Sequence, residues 1–329
     1  MIAIFGAGAI GCWVGGRLAA AGADVTLIGR ARVMDELAGG LQVTELGGLH
    51  DASVSPTVAT EPTAAAAADL VLVTVKSHQT AEAGAELANV LPESSVVVSL
   101  QNGVRNVDAL RTALPGRQVL AAMVLFNVVR RGPGAYHRAS DGALCIDDHP
   151  AAAPLLAACR AAELPIEPRR DMTAVLWAKL VLNLNNAINA LSGEPIAAEL
   201  AQRAFRLCVS AAQREALDVL AGAKQDVARL TAIPPRWLPR LLTVPDPVFR
   251  LLASRVVAID PAARSSMWGD LDAGRPTEID YLQGEVVALA EQLGEDAPIN
   301  RELVRLVREA EAGGKRDFTG NALRAKLGL

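Results

Sequence analysis

Cysteine is scarce and scattered. Cys12, Cys145, Cys159 and Cys208 stand far apart in a chain of 329 residues, with no CxxC pair. That spacing excludes a disulfide framework and a thiolate metal site, and it fits a reducing compartment. An excess of basic charge is missing as well. The formal net charge is −4, the isoelectric point is near 5.7, and no basic stripe is visible, so nucleic acid is not expected as a partner. The basic stretch Glu167–Asp171 (EPRRD) carries acids beside its arginines and reads as a solvated connector. Long hydrophobic runs are also lacking: Val119–Phe126 falls well short of the ~18 residues of a membrane span. The opening MIAIFGAGAIG has no basic n-region and reads as a strand and turn rather than a signal peptide. A cytoplasmic protein with no membrane partner is therefore expected.

What remains is an ordinary globular balance, 51% apolar and 21% charged, long enough for two domains with separate cores. The first half alternates short β-branched runs with alanine-rich helical ones. Strands are expected at Ile2–Phe5, Asp24–Ile28, Leu70–Val75, Ser95–Leu100 and Gln118–Leu125. Apolar runs without period-two alternation are what strands buried on both faces look like, and helical patterns separate several of them. The fold class predicted for residues 1–168 is therefore α/β, a doubly wound parallel sheet. LQVTE and ASVSPTV are expected to pair as a hairpin between the second and third units. After Pro168 the strand-like runs vanish, and residues 169–329 are expected to form an all-helical domain. The proline-rich stretch Pro234–Pro247 within it reads as loop or short helices. The alanine-rich helical stretches leave room for a homodimer seam.

Gly6, Gly8 and Gly11 form GxGxxG between the first strand and a helix, with the second strand close behind. That context is what a dinucleotide-binding turn requires. Gly6 permits the tight turn, Gly8 lets the backbone approach a pyrophosphate, and Gly11 lets helix and strand pack closely. The whole turn, Gly6, Ala7, Gly8, Ala9, Ile10 and Gly11, is assigned to cofactor binding, with the helix N-terminus facing the phosphates. At the end of the second strand, where an NAD enzyme puts an acid, stands Arg30, followed by Arg32. A guanidinium suits a 2′-phosphate, which selects NADP(H) over NAD(H), although Arg32 also reads as a plain surface charge. Lys76 and Asn102 sit just past two further strands, on the same expected face, as contacts to ribose, nicotinamide or substrate.

Trp177–Leu191 (WAKLVLNLNNAINAL) has the apolar period of a buried helix yet holds Asn183, Asn185, Asn186 and Asn189. On a continuous helix Asn183 lies about 40° from Lys179 and Asn186 about 20° to its other side. One ammonium and two amides then share a face that suits a carboxylate-bearing substrate. An ammonium beside a ketone polarises it and protonates the alkoxide formed by hydride addition, and burial lowers its pKa toward working pH. Near the C-terminus, Asp260–Pro261 reads as a helix N-cap and first position, placing Ser265 and Ser266 inside a helix. Thr277 with Asp280 reads as a capping box, and Glu278 beside them as a structural charge.

The ordered set GAGAIG, VKSHQT, QNGV, WAKLVLN, SSM and TEIDYLQG resembles the ketopantoate reductase (2-dehydropantoate 2-reductase) family along nearly the whole chain. The resemblance implies a Rossmann domain followed by a helical domain, with the active site in the cleft between them. It also implies reduction of ketopantoate to (R)-pantoate with NADPH, on the way to pantothenate and coenzyme A. Carried over, it makes Lys179 the general acid and Asn102 a cofactor and substrate contact. Ser266 becomes a carboxylate ligand, Glu278 an anchor for the substrate hydroxyl near Lys179, Lys76 a neighbour of the reacting centre, and Asn183 a substrate ligand. Glu278 is thereby moved from a structural to a catalytic role. Ala187 stands where family members carry a second asparagine, and Asn186 is offered as its replacement. The segment from about Gln213 to Ile259 is longer than the minimal family pattern. Two rival readings are the same chemistry on a different 2-oxo or imino acid, and an NADP-sensing protein without turnover.

Overall fold

Short aliphatic runs with no polar face form the centre of the first unit. The computed structural model describes residues 1–249, 251 and 263–329. The first seven strands are β1 (Ile2–Phe5), β2 (Val25–Ile28), β3 (Leu41–Glu45), β4 (Ala52–Val54), β5 (Thr57–Ala59), β6 (Leu70–Val73) and β7 (Val96–Ser99). Five more follow: β8 (Gln118–Val124), β9 (Val128–Gly132), β10 (Ala135–Arg138), β11 (Leu144–Asp147) and β12 (Ile166–Arg169). Eight of them make one sheet in the order β12-β11-β8-β7-β6-β1-β2-β5. β1 pairs in parallel with β2 and with β6, and β6, β7 and β8 continue in parallel, as strands buried on both faces demand. Within this sheet, among the described residues, only the β8–β11 pairing is antiparallel.

All five expected strands are present. The expected hairpin is present as β3–β4, with Leu41 opposite Val54, whereas the end of the second stretch forms β5 and joins the large sheet beside β2. The connector expected at Glu167–Asp171 is instead largely strand: β12 pairs with β11 and is the sheet's edge, where Pro168 costs no ladder bond. A second sheet, β4-β3-β10-β9, was not expected. Its β9–β10 hairpin turns at Gly134, at φ +65°, and β10 pairs in parallel with β3.

Helices α1 (Ala9–Ala20), α2 (Ala31–Leu37), α3 (Thr80–Ala88), α4 (Asn106–Ala113) and α5 (Ala153–Ala161) complete this unit, which spans Met1–Met172. α1 ties the two sheets together. Trp13 is fully buried, meets Phe126 edge-on at 5.1 Å and donates from Nε1 to the Thr44 carbonyl at 2.9 Å. Truncating such a side chain costs about 3–5 kcal/mol.

The second unit, Thr173–Leu329, contains only helices and turns among its described residues. Its helices are α6 (Met172–Asn183), α7 (Asn185–Ser192), α8 (Ile196–Ala201), α9 (Arg203–Gly222) and α10 (Leu238–Leu242). After residues 252–262 come α11 (Ser266–Asp272), α12 (Gln283–Gln292), α13 (Pro298–Glu311) and α14 (Gly320–Lys326). The proline-rich segment forms a short turn and α10, as its prolines predict, and a buried arginine secures it. Arg206 on α9 donates to the Leu242 carbonyl at 3.1 Å and the Val244 carbonyl at 2.8 Å, and pairs with Asp246 at 2.8 Å.

Candidate functional site

Four adjacent parallel strands, in the spatial order β7, β6, β1, β2, end on one edge of the large sheet. Asn102 follows β7, Lys76 follows β6, the Gly6–Gly11 turn follows β1, and Arg30 follows β2. The first unit thus brings every residue expected to hold a cofactor onto the carboxyl ends of neighbouring strands, where doubly wound sheets bind ligands.

The three glycines answer to different constraints. Gly6 has φ +115°, and a Cβ there would lie 2.6 Å from the Val75 nitrogen. A Cβ on Gly11 would meet the Gly6 carbonyl oxygen and, at 2.6 Å, Thr74 Oγ1. These two are required by the protein itself, because the loop after β6 packs directly on the turn. Thr74 Oγ1 holds that contact by donating to the Gly6 carbonyl at 2.6 Å. Gly8 is exposed, at φ −83°, and a Cβ on it would meet nothing within 4 Å. No side chain caps α1, whose first turn begins at Ala9 and Ile10, so its N–H groups face outward beside Gly8. Ala7, buried against Gly29, fixes the turn from below. A dinucleotide pyrophosphate fits this arrangement: the helix end carries the charge it needs, and no Cβ stands in its way.

Arg30 is exposed at the N-cap of α2 and makes no ion pair among the described residues. Arg32 instead lies 3.7 Å from Glu36, which also holds Arg130 at 2.6 Å. The two arginines are thereby separated in role: Arg32 belongs to a surface ion pair, and Arg30 is the guanidinium offered at the end of β2.

A buried polar network, not anticipated from the sequence, joins the loops after β6 and β7. Ser77 Oγ donates to the Asn102 carbonyl at 3.0 Å. Asn106 Nδ2 donates to Ser77 Oγ at 3.2 Å and also to the Asn102 carbonyl. Gln101 Nε2 donates to the Val75 carbonyl at 3.1 Å and to Thr80 Oγ1 at 2.7 Å. Ser77, Thr80, Gln101 and Asn106 are all buried, so the backbone of Asn102 is held from several sides. The signal was in the polar residues of SHQT and QNGVRN, clustered just past two buried strands.

In the helical unit the stretch Trp177–Leu191 runs through α6 and α7. The two meet at Leu184, whose φ of −59° and ψ of −20° stay right-handed helical and whose nitrogen still donates to the Leu180 carbonyl at 3.0 Å. Two buried glutamines bind carbonyls at this junction: Gln213 Nε2 donates to the Val181 carbonyl at 3.2 Å, and Gln283 Nε2 donates to the Leu184 carbonyl at 2.8 Å. Lys179 and Asn183 lie one turn apart on α6, and the helical backbone at Leu184 carries the chain on to Asn186 in α7. Lys179 is half-buried, and burial pushes its ammonium down to about 8. Ala187 is fully buried.

The remaining amides divide by role. Asn186 is half-buried, and its carbonyl accepts from Ser265 Oγ at 3.2 Å. Asn189 is fully buried and structural, with its Oδ1 accepting from the Ser265 nitrogen at 2.8 Å. Ser265 is not inside a helix, as expected, but is the N-cap of α11, accepting from the Trp268 nitrogen at 3.1 Å. Ser266 is the exposed first residue of α11. The expected N-cap at Asp260–Pro261 lies outside the described residues.

The capping box expected at Thr277 and Asp280 is not formed either. Thr277 Oγ1 accepts from the Ile279 nitrogen at 3.2 Å, Asp280 pairs with Arg308 at 2.7 Å, and α12 starts only at Gln283. Glu278 is buried at the start of the short turn Ile279–Tyr281. Through Gln283 this segment is tied to Leu184, one residue past Asn183. Among the described residues no three His, Cys, Asp or Glu side chains converge to hold a metal ion, and no helix is long and apolar enough to cross a membrane.

Two family models match this chain. Ketopantoate reductase PanE/ApbA covers residues 2–151, and ketopantoate reductase PanE/ApbA C terminal covers residues 171–311. A 2-dehydropantoate 2-reductase of Archaeoglobus fulgidus is 29% identical, over 95% of this chain and 98% of its own. One from Mycobacterium tuberculosis is also 29% identical, with the same shares covered. Among solved structures, a PanE/ApbA family ketopantoate reductase from Ralstonia eutropha JMP134 superposes with a TM-score of 0.81. It is 32% identical, over 95% of this chain and 98% of that one.

Proposed function

We propose, for a chain that belongs to the ketopantoate reductase PanE/ApbA family, the reduction of 2-dehydropantoate to (R)-pantoate with NADPH. The Gly6–Gly11 turn and the N-terminus of α1 hold the pyrophosphate, Arg30 takes the 2′-phosphate, and Lys76 and Asn102 contact the cofactor from the neighbouring strands. When bound, the nicotinamide supplies the hydride that reduces the ketone. Lys179 does the proton chemistry: its ammonium polarises the carbonyl oxygen and protonates it as negative charge develops there. Ser266 and Asn183 bind the substrate carboxylate and hydroxyl region, Asn102 assists from the cofactor side, and Glu278 anchors the hydroxyl. The same reading makes the protein a cytosolic enzyme of pantothenate and coenzyme A synthesis whose partner is a small 2-oxo acid. A homodimer is proposed on that footing.

The observation that carries this reading is Lys179. A lysine whose ammonium is pushed down to about 8 by burial, one turn before an asparagine, is a proton donor matched to neutral pH. The test follows absorbance loss at saturating NADPH, and in parallel at saturating NADH, for wild type and Lys179→Ala. Turnover of ketopantoate with preference for NADPH is expected, with kcat lower by roughly 10²-fold or more in the variant. Tight NADPH binding without turnover of ketopantoate would overturn the substrate and leave the cofactor reading standing. A second reading, the same reaction on another 2-oxo acid, is favoured by Ala187, which is fully buried at the position of a family asparagine. Under the first reading Asn186→Ala weakens ketopantoate binding; unchanged KM supports the second.

A further inference from the structure

Glu199 on α8 is fully buried, yet no cation pairs with it among the described residues. Its Oε2 accepts from Asn189 Nδ2 at 2.6 Å. Its Oε1 is buried without a hydrogen-bond partner, and so is Oδ1 of Asn185, whose side chain, like that of Asn189, acts on the carboxyl as a donor and lowers it against the larger effect of burial. A carboxyl oxygen buried with neither hydrogen bond nor cation leaves an ionised Glu199 poorly compensated, and an isolated buried carboxylate is among the costliest groups a protein holds. Burial indeed pushes this carboxyl up to about 8. The charged surroundings do not favour ionisation. Glu194, ahead of α8, raises it further. Cys208 on α9 has a thiol itself pushed up to about 12, mainly by burial. Arg324 on α14 acts on Cys208, and Arg264, ahead of α11, is spent on the Gly193 carbonyl.

What Glu199 holds is the frame of the substrate-binding residues. Asn189, fixed by Glu199, also donates to the Glu194 carbonyl at 2.9 Å and accepts from the Ser265 nitrogen at 2.8 Å. Ser265 in turn caps α11 and donates to the Asn186 carbonyl at 3.2 Å. Asn185 stands at the first position of α7, two residues past Asn183. We infer that Glu199 works as an uncharged carboxylic acid, a positioning residue that, through Oε2 and Asn189, fixes Ser265 and hence Ser266. The inference rests on the substrate role proposed above for Ser266. Loss of that proton leaves an uncompensated buried charge at the junction of α7, α8 and α11, and substrate affinity is lost with it.

The test has two arms on the full-length protein. Infrared difference spectra of wild type against Glu199→Gln show, at pH 7, the carbonyl band of a protonated carboxylic acid, which disappears as the pH passes about 8. Carboxylate bands alone at pH 7 overturn the inference, whatever the substrate proves to be. In the second arm, KM and kcat for ketopantoate are followed from pH 7 to pH 9. With the protonated fraction near a tenth at pH 9, wild-type KM rises about tenfold. Glu199→Gln, whose amide reproduces the donor and the acceptor of the neutral acid, binds as wild type does at pH 7 and shows no such rise. Both retain the same loss of kcat at high pH, because Lys179 is untouched. Glu199→Ala, if it folds, has a raised KM throughout. A wild-type KM that stays flat, or a rise that persists in Glu199→Gln, overturns the positioning role. A failure of the proposed substrate, by contrast, removes turnover and leaves the infrared arm intact.

Discussion

At the scale of single residues, the pH behaviour of Lys179 is the most direct consequence of its burial. Its ammonium lies well below the ordinary 10.5, at about 8, because desolvation disfavours the charged form. The general acid must be protonated, so kcat is expected to be level below about pH 8 and to fall with rising pH above it, tenfold for each unit. A pH profile of kcat at saturating ketopantoate and NADPH checks this; a profile level to pH 10 would remove Lys179 as the acid. The sign for stability is the opposite. A base whose folded pKa is depressed favours the neutral form in the folded state, so between about 8 and 10.5 this residue makes folding more stable as pH rises. Activity and stability therefore part company over the same window. The lysine was readable from its place in an apolar helix. Asn189 was not, because its function is decided by partners 10 and 76 positions away.

At the scale of elements, the β1–α1 turn separates glycines needed by the protein from one needed by a ligand. Gly11→Ala drives a methyl group into the Gly6 carbonyl and Thr74 Oγ1, with backbone on one side and nothing free to yield. It is expected to lower the melting temperature by several degrees, the effect of overpacking by ~1–3 kcal/mol. Gly8→Ala meets no protein atom within 4 Å and keeps an ordinary φ of −83°. Its melting temperature is expected to match wild type while NADPH affinity falls at least tenfold, since a pyrophosphate and a methyl group compete for the same space. Thermal melts beside NADPH titrations of both variants read the contrast; equal NADPH affinity in Gly8→Ala would remove the turn from cofactor binding. This turn was legible from sequence because strand, motif and helix are contiguous. The glutamine contacts at the junction of α6 and α7 were not, since Gln213 and Gln283 are both remote in sequence.

At the scale of the whole molecule, the same divide between local and remote information recurs. The parallel sheet announced itself through uninterrupted runs such as Leu70–Val73 and Val96–Ser99, whose composition alone says buried on both faces. The second sheet did not. Its strands are half-exposed, and its central pairing joins Ala135–Arg138 to Gln42–Glu45 across some ninety residues. β12 was hidden for a related reason, because an edge strand tolerates the proline and charges of IEPR that a central one would refuse. The division of labour between the units nevertheless yields a prediction that hydrogen exchange can read. Every residue assigned to the pyrophosphate, the 2′-phosphate and the nicotinamide lies in Met1–Met172, and every residue assigned to proton transfer or to the substrate, apart from Asn102, lies in Thr173–Leu329. NADPH alone is therefore expected to slow exchange in residues 6–11, 29–32, 74–80 and 100–106. Pantoate added to that complex is expected to extend protection to residues 179–189 and 263–283, because ligands stabilise the segments they bind against local opening. Protection of 179–189 by pantoate without NADPH, to the same extent, would mean that the helical unit assembles its substrate contacts unaided. No protection there in the ternary complex would take the polar stripe beginning at Lys179 out of the substrate site.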